Sequence, residues 1–362
     1  MKIPHRFREL VPAVFLLSCF AVGTAAQQSS QQPQDLPTLS SAVHSTLYPE
    51  VMCVHCIIPQ WDRGYILHRE FDKDPAVVTM YDRDGKKVLE ARMEPPDAAK
   101  ISVSAAAATH SGGILAVGGG VMTDGSIQGF IAKTDLTGRT IQSLRTGQFS
   151  PHQVCEASDG TVWTLGYARD YRDSPDADRN VLRHYSFEKG PLESLVAFDS
   201  IFKSRDAGLN VIPGGTSFLR CSKDRVSVFF GAAAQYIEVD ASNGKIARWS
   251  WKVALPPIAR AGATGFAVTE EGRIFVSFLG FSDPDNTVTH GLYELKTKTG
   301  ISVATLVPVD GTLTTHERGG VPPDETIEGL WGADGDELVV QRYRDGWGIS
   351  WVKVVASPPA SD

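Results

Sequence analysis

The sequence lacks the features that mark several large functional classes. Lysine and arginine form no run, and the 362-residue chain carries a net charge of −7, which argues against a nucleic-acid partner. Beyond the N-terminus, no apolar run is long enough to span a bilayer. The nucleophile motif Gly-x-Ser-x-Gly, the zinc motif His-Glu-x-x-His and the Walker phosphate loop are also absent. The sequence therefore predicts no catalytic chemistry by motif.

The N-terminus has the layout of an export signal. Lys2, Arg6 and Arg8 precede a short apolar stretch at residues 11–22, and Thr24-Ala25-Ala26 offers small residues for cleavage. We predict a signal peptide at residues 1–26 and a periplasmic or extracellular protein. The alternative is a lipoprotein signal at Leu16-Leu17-Ser18-Cys19, with Cys19 lipidated after cleavage. Residues 27–40, rich in Gln, Ser and Pro, are predicted to be a disordered spacer, and residues 357–362 a disordered tail.

Two families of tight turns recur along the rest of the chain. One ends in Gly85, Gly138, Gly190, Gly244 and Gly300, at steps of 53, 52, 54 and 56 residues. The second family alternates with the first and has six members, from Asp62-Arg63-Gly64 to Ala333-Asp334-Gly335. Asp-Gly between β-rich segments predicts a hairpin. Four antiparallel strands A to D at this period are typical of a propeller blade.

Six turns of the second family predict an all-β protein, a single six-bladed β-propeller over residues 41–356. The last repeat lacks a fourth strand, and we predict that residues 42–48 supply it and close the ring. Period and turn placement resemble six-bladed propellers of the NHL and gluconolactonase-like kind, a likeness at the level of the superfamily that implies no function.

The two kinds of connection are predicted to lie on opposite faces. A–B and C–D turns are tight, whereas the long insertions fall in B–C connections (119–129, 168–180, 281–290) and D–A connections (199–216, 307–326). Long loops on a rigid scaffold often carry function. Channel-mouth binding candidates on this face are His55, His152, Tyr167, Arg169, Asp170, Arg260, Glu328 and Trp331.

Four cysteines remain after cleavage of the signal. Cys155 and Cys221 fall in strand A of neighbouring blades and are the candidate disulfide. Cys53-Val54-His55-Cys56 lies in an apolar context that favours an extended strand, where Cys53 and Cys56 are too far apart to pair. No second such pair exists to complete a zinc site.

The metal candidates are Glu328, His152 and Asp170. Glu328-Gly329-Leu330-Trp331 is similar to the Glu-Gly-x-x-Trp run of metal-dependent lactonases, and the resemblance implies a metal-ligand role for Glu328. That family's asparagine and Pro-Asp-Gly ligands have no counterpart here. The acidic loop with Asp170, Asp173, Asp176 and Asp178 could hold calcium, although neighbouring arginines could neutralise it.

Two functional hypotheses follow. The first is an exported binding module that presents its long-loop face to a protein, peptide or glycan, with no required cofactor. The alternative is a metal-dependent hydrolase or lactonase with calcium or another divalent ion at the channel mouth, held by Glu328, His152, Asp170 and His55. Convergence of three or four nitrogen or oxygen ligands would favour the alternative.

Overall fold

The computed structural model describes residues 36–40, 44–47, 60–70, 75–169, 179–203, 212, 216–251, 260–298, 300–344 and 346–355. All of them lie within the compact unit Asp35–Asp362. The described helix, Phe198–Ser200, is a single 3-10 turn. No described helix has the length and apolar character needed to cross a bilayer.

The strands pair in consecutive antiparallel groups of four. The first two groups are β3 (Gln60–Asp62), β4 (Tyr65–Glu70), β5 (Ala76–Tyr81) and β6 (Lys87–Met93), then β7 (Ala98–Ala108), β8 (Ile114–Met122), β9 (Ile127–Thr134) and β10 (Thr140–Gly147). The next two are β11 (Phe149–Glu156), β12 (Val162–Ala168), β13 (Asn180–Ser186) and β14 (Gly190–Ala197), then β15 (Ser217–Cys221), β16 (Arg225–Phe230), β17 (Gln235–Asp240) and β18 (Ile246–Ser250).

The following group carries one addition. It comprises β19 (Arg260–Val268), β20 (Ile274–Ser282), β21 (Thr287–Lys298) and β22 (Ile301–Pro308). An extra strand, β23 (Thr314–Glu317), pairs with the start of β21. A single parallel contact between Ser250 and Val303 links this group to the preceding one.

The last group is completed from the other end of the chain. It contains β24 (Thr326–Asp334), β25 (Glu337–Tyr343) and β26 (Trp347–Val355), and its outer positions are filled by β1 (Thr38–Leu39) and β2 (His44–Leu47). Strand β2 runs antiparallel to β26, with Ser45 opposite Ser350. The predicted closing strand is therefore confirmed. Strand β1 lies inside the predicted spacer, so the disorder expected there does not extend to Thr38.

The first strands of the groups contact one another in a closed order: β3, β7, β11, β15, β19, β24 and back to β3. Four-stranded antiparallel sheets around such a ring form a β-propeller, as the sequence predicted. The predicted count of six blades stays a prediction, because several connections between the sheets fall outside the described residues. Tight turns contain glycines with positive φ, such as Gly64 (84°) and Gly138 (81°), a backbone conformation that side-chain-bearing residues rarely adopt.

The tight turns share one face, which we call the turn face. The side chain of Arg83, in the C–D turn after β5, donates at 2.8 Å to Glu337, the first residue of β25 after its A–B turn. The A–B turns also contact each other, as in the bond from the Glu270 N–H to the Gly335 carbonyl. The B–C and D–A connections lie at the opposite strand ends, on what we call the loop face.

Two predicted long loops are wrong. Strand β8 runs to Met122 and β9 starts at Ile127, and β20 runs to Ser282 before β21 starts at Thr287. Each connection is a four-residue turn, because the flanking strands extend further than their apolar cores suggested. The D–A connection predicted at 307–326 contains the strand β23.

Candidate functional site

At the turn face, charged side chains bind the inner strands together across the ring. The Arg63 guanidinium donates to the carbonyls of Ala108 at 2.6 Å and Glu156 at 2.5 Å, each at the end of a different inner strand. Arg220 donates to the carbonyl of Trp331 at 3.3 Å. Burial raises the pKa of Asp62, while Arg63 and Arg220 oppose the rise. These charges are used to connect strands.

The same end carries a disulfide and a buried carboxylate. Cys155 and Cys221, near the ends of β11 and β15, are bonded, with their Cα atoms 5.6 Å apart. Glu156 is 1% exposed and accepts from Lys133 at 2.8 Å and from the main chain of His110 at 2.6 Å. The sequence had named Cys155 and Cys221 as the candidate pair.

Toward the loop face, several inner strands carry a β-bulge. The extra residue of β11 is His152, since Pro151 opposes Gly166 and Gln153 opposes Leu165. In β24 the corresponding residue is Glu328, between Ile327 and Gly329. A bulge leaves one residue outside the regular pairing and redirects its side chain. Two of the predicted site residues therefore have a local backbone reason for their orientation.

His152 groups with two other predicted residues. Its ring stacks on Tyr167, with centroids 5.2 Å apart and planes within 9°. Burial lowers the pKa of His152 to about 4, with a further decrease from the positive charges of Arg69 and Arg169. Burial raises the pKa of Tyr167, and the Arg169 charge opposes that rise. His152 is therefore a neutral imidazole at neutral pH.

Glu328 meets two histidines that the sequence analysis did not select. The Nε2 atom of His290 lies 3.2 Å from Nε2 of His316 and 3.8 Å from Oε1 of Glu328. The two imidazole rings are stacked within 7°. We call His290, His316 and Glu328 the His–His–Glu cluster. It is the one group of three metal-capable side chains within the described ranges, and its donor atoms lie within 4.8 Å of one another.

Strand pairing explains why the cluster forms. His290 in β21 lies opposite Thr314 in β23, and Val288 lies opposite His316. His290 and His316 are thus diagonal neighbours on the same side of the pair, within reach for aromatic side chains. Strand β24 then brings the bulged Glu328 to the pair from the next sheet.

Electrostatics in the cluster are those of a desolvated acid beside the neutral imidazole of His290. Burial raises the pKa of Glu328 to about 7, and no charged neighbour contributes to the shift. Burial lowers the pKa of His290 to about 4, His316 adds to the decrease, and the Glu328 main chain opposes it. At pH 8 the cluster therefore holds one carboxylate and a neutral His290 ring.

The other predicted site residues have different outcomes. His55 and Asp170 lie outside the described residues, as do the acidic Asp173, Asp176 and Asp178. For Arg260 the structure describes only the backbone, at the start of β19. The prediction that Trp331 lines the channel mouth is wrong, because its side chain is fully buried among Trp61, Tyr81 and Trp351. A second bulge between Leu330 and Gly332 turns its large apolar ring into the core.

The predicted metal set also needs correction. Glu328 has histidine neighbours, but they are His290 and His316, whereas His152 lies on β11, three steps from β24 in the ring order. Recognition of β23 as a strand would have identified His316 as a neighbour of His290. The sequence of β23, Thr-Thr-His-Glu, has no apolar alternation, so it reads as loop.

Comparison with known proteins gave matches among solved structures only. No family model and no curated protein matches the chain. Similar solved structures include the WD40 repeats of RRP9, at 11% identity and a TM-score of 0.46, covering 88% of this chain and 99% of that one. A luciferin-regenerating enzyme has 15% identity and a TM-score of 0.40, covering 82% and 90%.

A third similar structure is a protein of unknown function from Bacteroides caccae, with 13% identity and a TM-score of 0.39, covering 67% of this chain and 83% of that one. Likeness at this level says nothing about activity. The specific resemblance to gluconolactonase-like propellers stays a prediction.

Proposed function

We propose that this chain is an exported six-bladed β-propeller that binds a protein or peptide partner through its loop face. The observation that carries the proposal is that exposed apolar side chains accompany the His–His–Glu cluster on the loop face: Leu313 and Val321 lie on either side of β23, which carries His316. Val121 and Ile127 are also exposed at this face, whereas Leu136, Val88, Ile141, Ile301 and Val355 are exposed at turn-face strand ends or turns, where no such polar cluster lies among the described residues.

The chemistry of the two faces supports the same choice. Turn-face charges are engaged in bonds that hold the ring, such as those of Arg63. Loop-face groups include a carboxyl and imidazoles whose pKa values burial shifts toward the neutral forms. Apolar side chains around partly buried polar groups are typical of a protein interface.

Photo-crosslinking from matched positions tests the proposal. A photoreactive residue is placed at Ile127 on the loop face or at Leu136 on the turn face, which are 60% and 68% exposed. Illumination in the producing cells should give a discrete protein adduct from position 127 and none from position 136. Adducts from position 136 alone, or no adduct from position 127, would contradict the proposal.

A metal-dependent hydrolase is the second candidate, favoured by the His–His–Glu cluster. Three ligands with a free position would polarise a carbonyl or activate water. Its test is hydrolysis of lactones and phosphoesters by metal-loaded protein, with Glu328→Gln as the comparison. Turnover that is metal-dependent and lost in that variant would favour this candidate, and equal turnover would remove it.

A further inference from the structure

We infer that His290, His316 and Glu328 form a zinc site on the loop face, with two imidazole nitrogens, one carboxylate oxygen and a fourth position left for water or a donor atom of a bound molecule. The inference goes beyond the proposed partner binding, and it stands whether the metal would serve binding or hydrolysis.

The spacing of the donor atoms suits one small ion. In tetrahedral zinc sites the ligand bonds are about 2.0–2.2 Å, so adjacent donors lie roughly 3.3 Å apart. From His290 Nε2, the separations are 3.2 Å to His316 Nε2 and 3.8 Å to Glu328 Oε1. All three donor atoms lie within 4.8 Å of one another, a spacing compatible with one shared ion.

The tautomer of His316 is already that of a ligand. Its Nδ1 lies 2.9 Å from the carbonyl oxygen of Glu317, which can only accept, so Nδ1 carries the hydrogen. In the neutral ring Nε2 then accepts the 3.2 Å hydrogen bond from His290 Nε2, and zinc would take the place of the hydrogen that His290 donates. A backbone carbonyl that fixes the far nitrogen in this way is a common outer partner of zinc-bound histidine.

Rigidity and access are both present. His290 is 4% exposed and held between two paired strands, β20 and β23. The Glu328 side chain is 22% exposed, which gives the cluster an opening to solvent. Sites built on strands hold their ligands more precisely than sites on loops.

The donor set selects the class of metal. Calcium takes six to eight oxygen ligands, whereas two imidazoles with one carboxylate suit zinc and related transition metals.

Zinc binding to the tag-free mature protein, stripped beforehand with a chelator, tests the inference. Calorimetry should find one tight zinc site per chain, and cobalt should give the visible absorption of a tetrahedral complex. His316→Ala and Glu328→Gln should each weaken zinc binding by roughly 100-fold or more and remove the cobalt spectrum. Circular dichroism and melting curves establish that each variant is folded.

Two controls separate this site from other ligands in the chain. His110→Ala removes a half-exposed histidine on the turn face and should leave the zinc affinity unchanged. Cys53→Ser with Cys56→Ser removes the other sequence candidate and should also leave it unchanged. Equal zinc affinity in folded His316→Ala and Glu328→Gln, loss of the site in the cysteine variant, or binding of calcium alone would each overturn the inference.

Discussion

The two faces of the propeller use the same residue types in opposite ways. On the turn face, Arg63 and Arg220 donate to carbonyls of other inner strands, and Glu156 is paired with Lys133. On the loop face, Glu328 is desolvated with histidines as its neighbours. A charged side chain near the ring axis therefore indicates a functional site only when its charge is not already used in hydrogen bonds or ion pairs that connect the inner strands.

The largest expected effect comes from removing the disulfide on the turn face. Cys155→Ala with Cys221→Ala removes a crosslink between residues 66 apart in sequence. The chain-entropy relation for a loop of this length predicts a loss of about 4 kcal/mol in the free energy of unfolding. Urea denaturation of the variant and the parent under oxidising conditions measures it, and a loss below about 1 kcal/mol would contradict the structural role of this bond.

A second variant removes a turn-face charge. Arg220→Met deletes the bond to the Trp331 carbonyl and a positive charge that opposes the raised pKa of Asp62. We expect a loss of roughly 2–3 kcal/mol in unfolding free energy, because a half-buried carboxylate loses compensation. Adding Asp62→Asn should restore part of that loss. Simple additivity of the two substitutions would show that the groups are not coupled.

The smallest effect has the opposite sign and lies on the loop face. Glu328 has a pKa of about 7 in the folded protein against 4.5 ordinarily, so its ionisation costs folding energy. Stability from this group is highest below pH 4.5 and falls as the pH rises toward 7. In chelator, Glu328→Gln should therefore stabilise the protein at pH 8 by about 1 kcal/mol and lose this advantage by pH 4.5. A destabilised variant at pH 8 would mean that the carboxylate is compensated.

The sequence predicted the repeat well because turns have local chemistry. Glycines with positive φ, such as Gly85 and Gly300, fall where the hairpins were expected, and residues 44–47 complete the last sheet. Loop lengths were less predictable, because β8 and β20 continue through residues with weak apolar alternation.

The candidate site was predicted only in part. His152, Tyr167 and Arg169 come together, and Glu328 lies in a cluster, but its partners do not follow from their sequence positions. His316 reaches His290 only because the polar segment β23 pairs with β21, and Glu328 joins them from the neighbouring sheet. Such a contact depends on tertiary pairing, which no periodicity in the chain encodes.

The pairing of β2 with β26 has a consequence for the order of folding. The two strands are joined by residues as distant as Ser45 and Ser350, which are hydrogen-bonded at 3.0 Å across 305 positions. A chain that emerges from the ribosome N-terminus first must hold β2 without its partner until the final strand appears. Ring closure therefore cannot occur before β26 is available, and until then both free edges are open to chaperones, to proteases and to other copies of the chain.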